Sequence, residues 1–383
     1  MTIVIGEFKM DRRKFLKKSA AATLFIGSGL FLPACRRNLR TDLMGNDQIA
    51  NVHAIETLDP DGYKILTYAS LAPSGHNSQP WFVRVNSRLE WVVGSDADRL
   101  LKVVDSSNRE TLLSLGAFVE NLVQAAGNFG YAVETKVIAQ DRFDPDVIKI
   151  NLSKSKPVDI PLSRMVTRRT VKSHLLSAQL KSSDVNDFSK SVDGHFFYFP
   201  RGTDHAEIMN KQAVENYSIQ SENQKAVEEL ASWIRLKDTK AKKFRDGLTL
   251  DGMEITGLAG WVVRNFMDNK KVMTKTFTDK GIQRTKEQVK EGAGWVVITS
   301  DGNTVKDLIE TGRRFQRMAL TAREKMIGIH PMTQALEEEH GQKNIKENHG
   351  ARVIPQFMLR LGYLNKYPDP VSLRRPVEWF VRV

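Results

Sequence analysis

Apolar residues recur along this chain with two periods, and the points where the period changes mark its elements. Trp81–Val85 and Leu89–Val93 are apolar runs of strand length, and Asn86-Ser87 between them suits a hairpin turn. From Thr111 to Phe129 the spacing becomes helical. Leu112, Leu115, Phe118, Val119, Leu122, Val123 and Ala126 cover most of the circumference, so that helix is expected to be buried on nearly all sides. A second helix, Lys306–Met326, repeats the frame, with Gly312, Phe315, Met318, Ala319 and Ala322 spaced as Gly116, Val119, Leu122, Val123 and Ala126 are. Trp91-Val92-Val93 before Ser95-Asp96 likewise returns as Trp295-Val296-Val297 before Ser300-Asp301. Helical periodicity alone produces part of that match. The echo still predicts two related halves whose central helices pack together, an internal imitation of a symmetric dimer. Between them, Ser177–Phe188 and Ile208–Phe244 read as helices and His195–Phe199 as a strand. Arg245–Gln288, rich in Gly, Met and aromatics but poor in period, reads as a long segment with short helices. It either covers a pocket or is a surface insertion without a role.

Composition adds a length argument and a charge argument. With 383 residues, 41% apolar and 27% charged, the chain is globular in character. Single cores stop growing at about 250–300 residues, which again favours two lobes. The net charge of +12 raises the question of an anionic partner. Residues 1–35 hold six Lys and Arg against Glu7 and Asp11, and the remaining surplus is not gathered into the aromatic-interleaved basic stripe that nucleic-acid binding needs. No nucleic-acid partner is expected. A basic stretch, Asp11–Lys18, followed by the apolar Ala20–Leu32, reads as an export signal over residues 1–35. The apolar run is too short and glycine-broken to span a bilayer comfortably. Arg12-Arg13-Lys14-Phe15-Leu16-Lys17 resembles the twin-arginine signal, with Met10 a candidate start. Leu32-Pro33-Ala34-Cys35 resembles a lipobox, which predicts lipid attachment at Cys35, a stray cysteine behind a cleavable signal being the other reading. The expected location is periplasmic or cell-envelope, with a lipid anchor in the membrane. Cys35 is the only cysteine, so no internal disulfide can form. Residues 36–50 are polar and aperiodic and read as a tether, with folded structure beginning near Val52.

Several common chemistries find no support. There is no Gly-x-Ser-x-Gly elbow, no Gly-x-Gly-x-x-Gly loop and no Walker loop. His330, His340 and His349 fit no metal-ligand spacing, and their neighbours Glu337, Glu338 and Glu339 look like a solvated helix face, so no metal is expected. His76 reads as a structural loop residue. Two motifs do carry chemistry: Ala72-Pro73-Ser74-Gly75-His76-Asn77-Ser78-Gln79-Pro80-Trp81 and Arg168-Arg169-Thr170-Val171-Lys172. Together they resemble the nitroreductase family. Gly312–Gly328, His330-Pro331-Met332-Thr333-Gln334, Pro355–Gly362 with Tyr363, and Arg374-Arg375-Pro376 extend the likeness over most of residues 60–383.

The resemblance implies an α+β nitroreductase-like fold, FMN as cofactor, and two-electron reduction of an organic acceptor such as a quinone or nitroaromatic, with NAD(P)H a candidate donor. In ordinary members the arginine motif comes first and a homodimer builds two sites. Here the order is reversed across the halves, and each half lacks the motif that the other keeps. One site per chain therefore follows, in a monomer of two fused half-domains, residues 51–155 and 156–383, each with a mostly antiparallel sheet, and a covering insertion at about 245–288. This is similar to the fused, Acg-like branch of the family. By resemblance Pro73, Ser74, Gly75 and Asn77 border the flavin ring, while Arg168, Arg169 and Thr170, with Arg374 or Arg375, hold the phosphate. Lys172 approaches the edge where charge gathers on reduction, and Met332 and Thr333 bring backbone near the ring. The residue types suit these tasks, since guanidinium pairs with phosphate oxygens and glycine lets backbone approach a ring. No side chain is expected to be catalytic, because the flavin is the reactive group. A flavin-sequestering protein with little turnover and a non-enzymatic surface lipoprotein remain the alternative readings.

Overall fold

The structure, a computed structural model, describes residues 38–44, 58–349 and 354–382. The expected export signal and Cys35 lie outside these residues, as does the start of folding expected near Val52.

The hairpin forms with its turn displaced. Strands β1 (Trp81–Ser87) and β2 (Glu90–Ser95) pair antiparallel from Trp81·Ser95 to Ser87·Glu90. An irregularity between Val85 and Ser87 carries β1 past Asn86-Ser87, so Arg88-Leu89 make the turn. Two strands that the sequence reading did not identify, β3 (Tyr131–Val137) and β4 (Asp146–Lys154), extend this sheet beyond β2. A second sheet has the order β5 (Phe196–Pro200), β8 (Gly294–Ser300), β10 (Ile354–Tyr363), β9 (Ile327–Pro331), antiparallel throughout. The remaining strands, β6 (Ile234–Arg235) and β7 (Leu248–Thr249), form a small parallel pair of their own. The architecture is α+β, with two mainly antiparallel sheets flanked by helices.

The two periodic segments are central helices, Arg109–Asn128 and Val305–Glu324. Thr304 and Asp307 close the start of the second in a reciprocal capping box. At the first, Asp105 accepts from the N–H groups of Glu110 and Thr111. The helices meet at the paired glycines. A Cβ on Gly116 would lie 2.1 Å from the Ile309 carbonyl oxygen, and one on Gly312 would lie 2.0 Å from that of Leu113. Glu120 pairs with Arg313 and Arg317 across the contact, and Gln316 donates to Asn121 at 2.8 Å. Val305, Leu308 and Ile309 enter the core around Trp81, Trp91 and Phe118, so the halves share apolar packing.

Four expectations change. The helix expected at Ser177–Phe188 runs from Ser182 to Ser191. The helical stretch expected over Ile208–Phe244 divides into three, Asp204–Glu222, Gln224–Trp233 and Asp238–Phe244, the first break falling where the Asn223 side chain caps the middle helix by accepting from Lys225 and Ala226 N–H groups. Within the expected tether, Leu39–Met44 is helical and Arg40 is buried against the Ser372 and Val166 carbonyls. The C-terminus leaves the second half altogether: β11 (Val381–Arg382) pairs in parallel with β1, and Phe380 packs edge-on against Phe118.

Candidate functional site

The Pro-Ser-Gly turn is strained in a way that needs outside support. His76, Asn77 and Gln79 all have left-handed backbone, with φ of 48°, 54° and 54°. Such a conformation costs about 1–2 kcal/mol per residue for L side chains, so the surroundings must hold it. Ser74 Oγ accepts from Gln79 N–H at 3.0 Å. The Gln79 amide donates to Arg245 O at 2.9 Å and accepts from Arg375 N–H at 2.8 Å. Asn77 exchanges backbone and side-chain bonds with Gly247, and its Oδ1 accepts from Arg374 Nη1 at 2.8 Å. The turn is thus clamped by the covering segment on one side and by the C-terminal segment on the other.

Two distant arginines converge beside it. Arg374 donates to the Leu71 and Ala72 carbonyls at 3.2 and 3.0 Å, and Arg168 donates to the same Leu71 oxygen at 3.3 Å. Both are buried, and neither has a carboxylate within 4.0 Å among the described residues. The Nε of each lacks a hydrogen-bond partner. Burial, then Arg40 and Arg168, push the Arg374 guanidinium well below its ordinary value; burial and Arg168 bring Arg40 down to about 10. A guanidinium keeps its proton, so Arg168 and Arg374, buried and facing carbonyl and amide oxygens, form a site complementary to a dianion. The donor set fits the phosphate monoester of a flavin mononucleotide, which offers three oxygens to such N–H groups.

Further along, the same loop meets carboxylates. A Cβ on Gly75 would lie 3.1 Å from Glu110 Oε2. Thr333 Oγ1 donates to Glu110 Oε1 at 3.0 Å and lies 3.3 Å from Glu337 Oε1, and Gln220 donates to Glu337 Oε2. Burial, then Glu110, push the Glu337 carboxyl well above the usual range, so Glu337 keeps its proton. Lys172 approaches from the second half, its ammonium lowered by burial while Glu254 opposes the shift. The His76 ring lies within electrostatic reach of Glu110, Glu229 and Lys172, and burial lowers it. Behind Lys172, the fully buried Arg360 bonds the Lys172 carbonyl and the His330 ring, whose pKa burial and Arg360 hold far below normal.

The structure thus gathers Pro73, Ser74, Gly75, Asn77, Arg168, Lys172, Thr333 and Arg374 around one region, with other expected roles redistributed. Arg169 is paired with Glu254 at 3.2 Å and donates to Asp369 O, which leaves it at the rim. Thr170 lines a narrow cleft with Arg168, Pro331 and Tyr367. Arg375 is a latch on β1, donating to the Gln79 and Trp81 carbonyls, so Arg374 is the one facing Arg168. The Asn77 amide, expected to face the ring, has its oxygen on Arg374 and its nitrogen on Gly247 and Leu373. The Met332 side chain is in the core and its N–H is taken by Met358 O, so of the expected backbone approach at Met332 and Thr333 the Met332 N–H is already occupied. His76 belongs to the site as well as to the loop. Glu337 is half-buried, its carboxyl turned onto Thr333 and Gln220, contrary to the solvated face expected of residues 337–339. Arg40, Glu110 and Glu254 were not singled out in the sequence; only their contacts across long stretches of chain identify them. Among the described residues no group of three His, Cys, Asp or Glu could hold a metal ion.

No family model matches the chain. It is similar to PigM of Serratia sp. (strain ATCC 39006), a proposed NAD(P)H nitroreductase, with 22% identity covering 81% of this chain and 90% of that protein. A proposed NAD(P)H nitroreductase of Mycobacterium tuberculosis (strain ATCC 25618 / H37Rv) is 24% identical over 85% of this chain and 94% of its own length. Among solved structures, a nitroreductase-like family protein from Bacillus cereus overlaps 58% of this chain and 94% of its own at 10% identity, with a TM-score of 0.32. A superposition that loose assigns nothing by itself.

Proposed function

We propose that the chain is an FMN-holding oxidoreductase of the nitroreductase kind, with one site per chain, reducing a quinone-like or nitroaromatic acceptor. NAD(P)H, the donor in the relatives' names, is the candidate donor here. The observation that carries this reading is the meeting of Arg168 and Arg374 on the Leu71 carbonyl, next to the strained turn, with no carboxylate within 4.0 Å of either among the described residues. FMN bound there would supply two-electron transfer. The chain's own residues do the rest. Arg168 and Arg374 hold the anionic tail, Gly75 permits backbone approach to a flat ring, and Lys172 offers positive charge where reduction accumulates negative charge. Glu337 holds a proton beside Thr333.

The absorption spectrum of freshly purified protein, with cofactor mass and stoichiometry, tests the proposal directly. A flavin spectrum at one FMN per chain is expected. Arg168→Ala with Arg374→Ala should lower FMN affinity at least 100-fold, two charge-assisted contacts being worth about 1.5–3 kcal/mol each. A colourless protein that refuses added FMN would sink the reading. A flavin-storage protein is the second reading, favoured by Gly247 and Glu254 of the covering segment lying directly on both motifs. After reduction with dithionite, fast reoxidation by menadione supports the enzyme and sluggish reoxidation supports storage. We propose further that residues 1–35 direct export and that Cys35 carries lipid; failure of radiolabelled palmitate to attach, or attachment that survives Cys35→Ser, would refute the anchor.

A further inference from the structure

We propose that the covering segment docks the protein on an anionic phospholipid bilayer through the outer face of the helix Gly257–Phe266. That helix has two apolar faces. Val263 and, just beyond it, Met267 turn inward onto a small core with Leu250 and Ile255. Trp261, Val262 and Phe266 point outward and are 54%, 41% and 62% exposed, the first and last forming an edge-on ring pair at 5.6 Å. Leaving this much aromatic surface in water is unfavourable, and a pre-paired Trp and Phe on one short helix suits the headgroup boundary of a bilayer.

The charge around this face is positive. Residues 237–290 hold thirteen Lys and Arg against seven Asp and Glu, so they carry +6 of the chain's +12. Half of the chain's net charge thus falls in the covering segment and its flanks. Lys271 donates to Phe266 O at 2.8 Å, which sets an ammonium at the edge of the apolar face, with the exposed Lys270 beside it. Arg264 pairs with Asp238 at 3.1 Å, tying this helix to the neighbouring one, where Lys240 and Lys243 surround the half-open Phe244 ring. Each cation near an anionic membrane adds about 1 kcal/mol of attraction. A protein partner would need about 800 Å² of complementary surface from this side. Three apolar side chains fringed by lysines fall well short of that, whereas they suffice for shallow insertion helped by charge. The same segment carries Gly247 and Glu254 onto the site, so the docking face and the site belong to one structural unit.

The experiment uses the full chain and tryptophan quenching by brominated-acyl lipids in vesicles of phosphatidylcholine with or without phosphatidylglycerol. Among the six tryptophans, Trp81, Trp91 and Trp295 are buried, Trp233 is half-buried under Arg235 and Trp379 is half exposed, so Trp261 is the principal candidate for contact with lipid. Quenching is expected in phosphatidylglycerol vesicles, to be largely lost in Trp261→Phe, which keeps a ring and hence the fold, and to be kept in Trp379→Phe. Lys270→Glu with Lys271→Glu should weaken that signal on the order of tenfold or more in lipid concentration. Equal quenching with and without phosphatidylglycerol, or quenching that survives Trp261→Phe, overturns the proposal. So does a dimer in sedimentation that Trp261→Ser dissolves, since the face would then belong to a second copy.

Discussion

Glu337 shows how one burial event changes what a residue can do. In sequence it is the first of three consecutive glutamates; in the fold its carboxyl meets Thr333 and Gln220, and Thr333 links it to Glu110 Oε1, the oxygen Arg109 also contacts. Its carboxyl holds a proton in the folded chain that the unfolded chain releases above the ordinary glutamate range. The stabilisation from that bound proton is complete below the unfolded pKa and disappears as pH rises through the raised folded value. His330 works in the other direction: its ring is held neutral by burial and Arg360, and the stability that goes with the neutral ring fades as pH falls below about 6.5. Thermal midpoints should therefore fall on both sides of a maximum. Glu337→Gln, which keeps a hydrogen-bonding amide and cannot ionise, should flatten the alkaline decline and leave the acid limb alone. An alkaline limb identical in wild type and Glu337→Gln would show that Glu337 does not hold that proton.

At the scale of elements, the central helix pair is the feature most dependent on a single atom's space. Replacing Gly116 or Gly312 with alanine puts a methyl about 2 Å from a carbonyl oxygen of the opposite helix, which no rotamer change relieves. The helices must move apart, and Gln316–Asn121 and the Glu120 ion pairs move with them. Each substitution should cost about 1–3 kcal/mol or more in urea unfolding, against a slight gain from helix propensity had the site been open. An unchanged midpoint would mean that the helices do not cross there. This contact was legible in the sequence because a helix buried on all sides leaves a strong 3.6-residue signature and the two frames share a glycine. Less was visible elsewhere, for local reasons. β3 alternates in burial, with Ala132, Glu134 and Lys136 outward, but Val133, Thr135 and Val137 on its inner face are only half-buried, as on an edge strand, and the apolar signal is faint. Asn223 ends one helix and caps the next within a pattern that reads as continuous. The hairpin turn slid by two residues because an irregularity inside β1 has no compositional mark.

Across the whole molecule, the region is closed by parts that are far apart in sequence, which is why its motifs were readable and its completion was not. Residues 72–81 and 168–172 announce themselves as local strings. Arg40, Glu110 and Glu254 acquire meaning only through the packing that brings the tail Leu373–Arg382 from beside Asn77 back to β1. That route makes Arg374 and Arg375 mechanical as well as electrostatic: one spans the Leu71, Ala72 and Asn77 positions, and the next pins Gln79 and Trp81. A dianion bound between Arg168 and Arg374 would then tie the second half to the turn preceding β1 and, through the tail, to the first sheet. Ligand binding stabilises whatever it joins, by about 2.7 kcal/mol at a hundredfold excess over Kd. With FMN added, amide hydrogen exchange should slow together in β1 and β2 of the first sheet and in β8 and β10 of the second. The same experiment on Arg374→Ala should show the slowing lost in both. If FMN protected only one sheet, the phosphate would be held within a single half, and the closure inferred from the shared Leu71 carbonyl would be wrong.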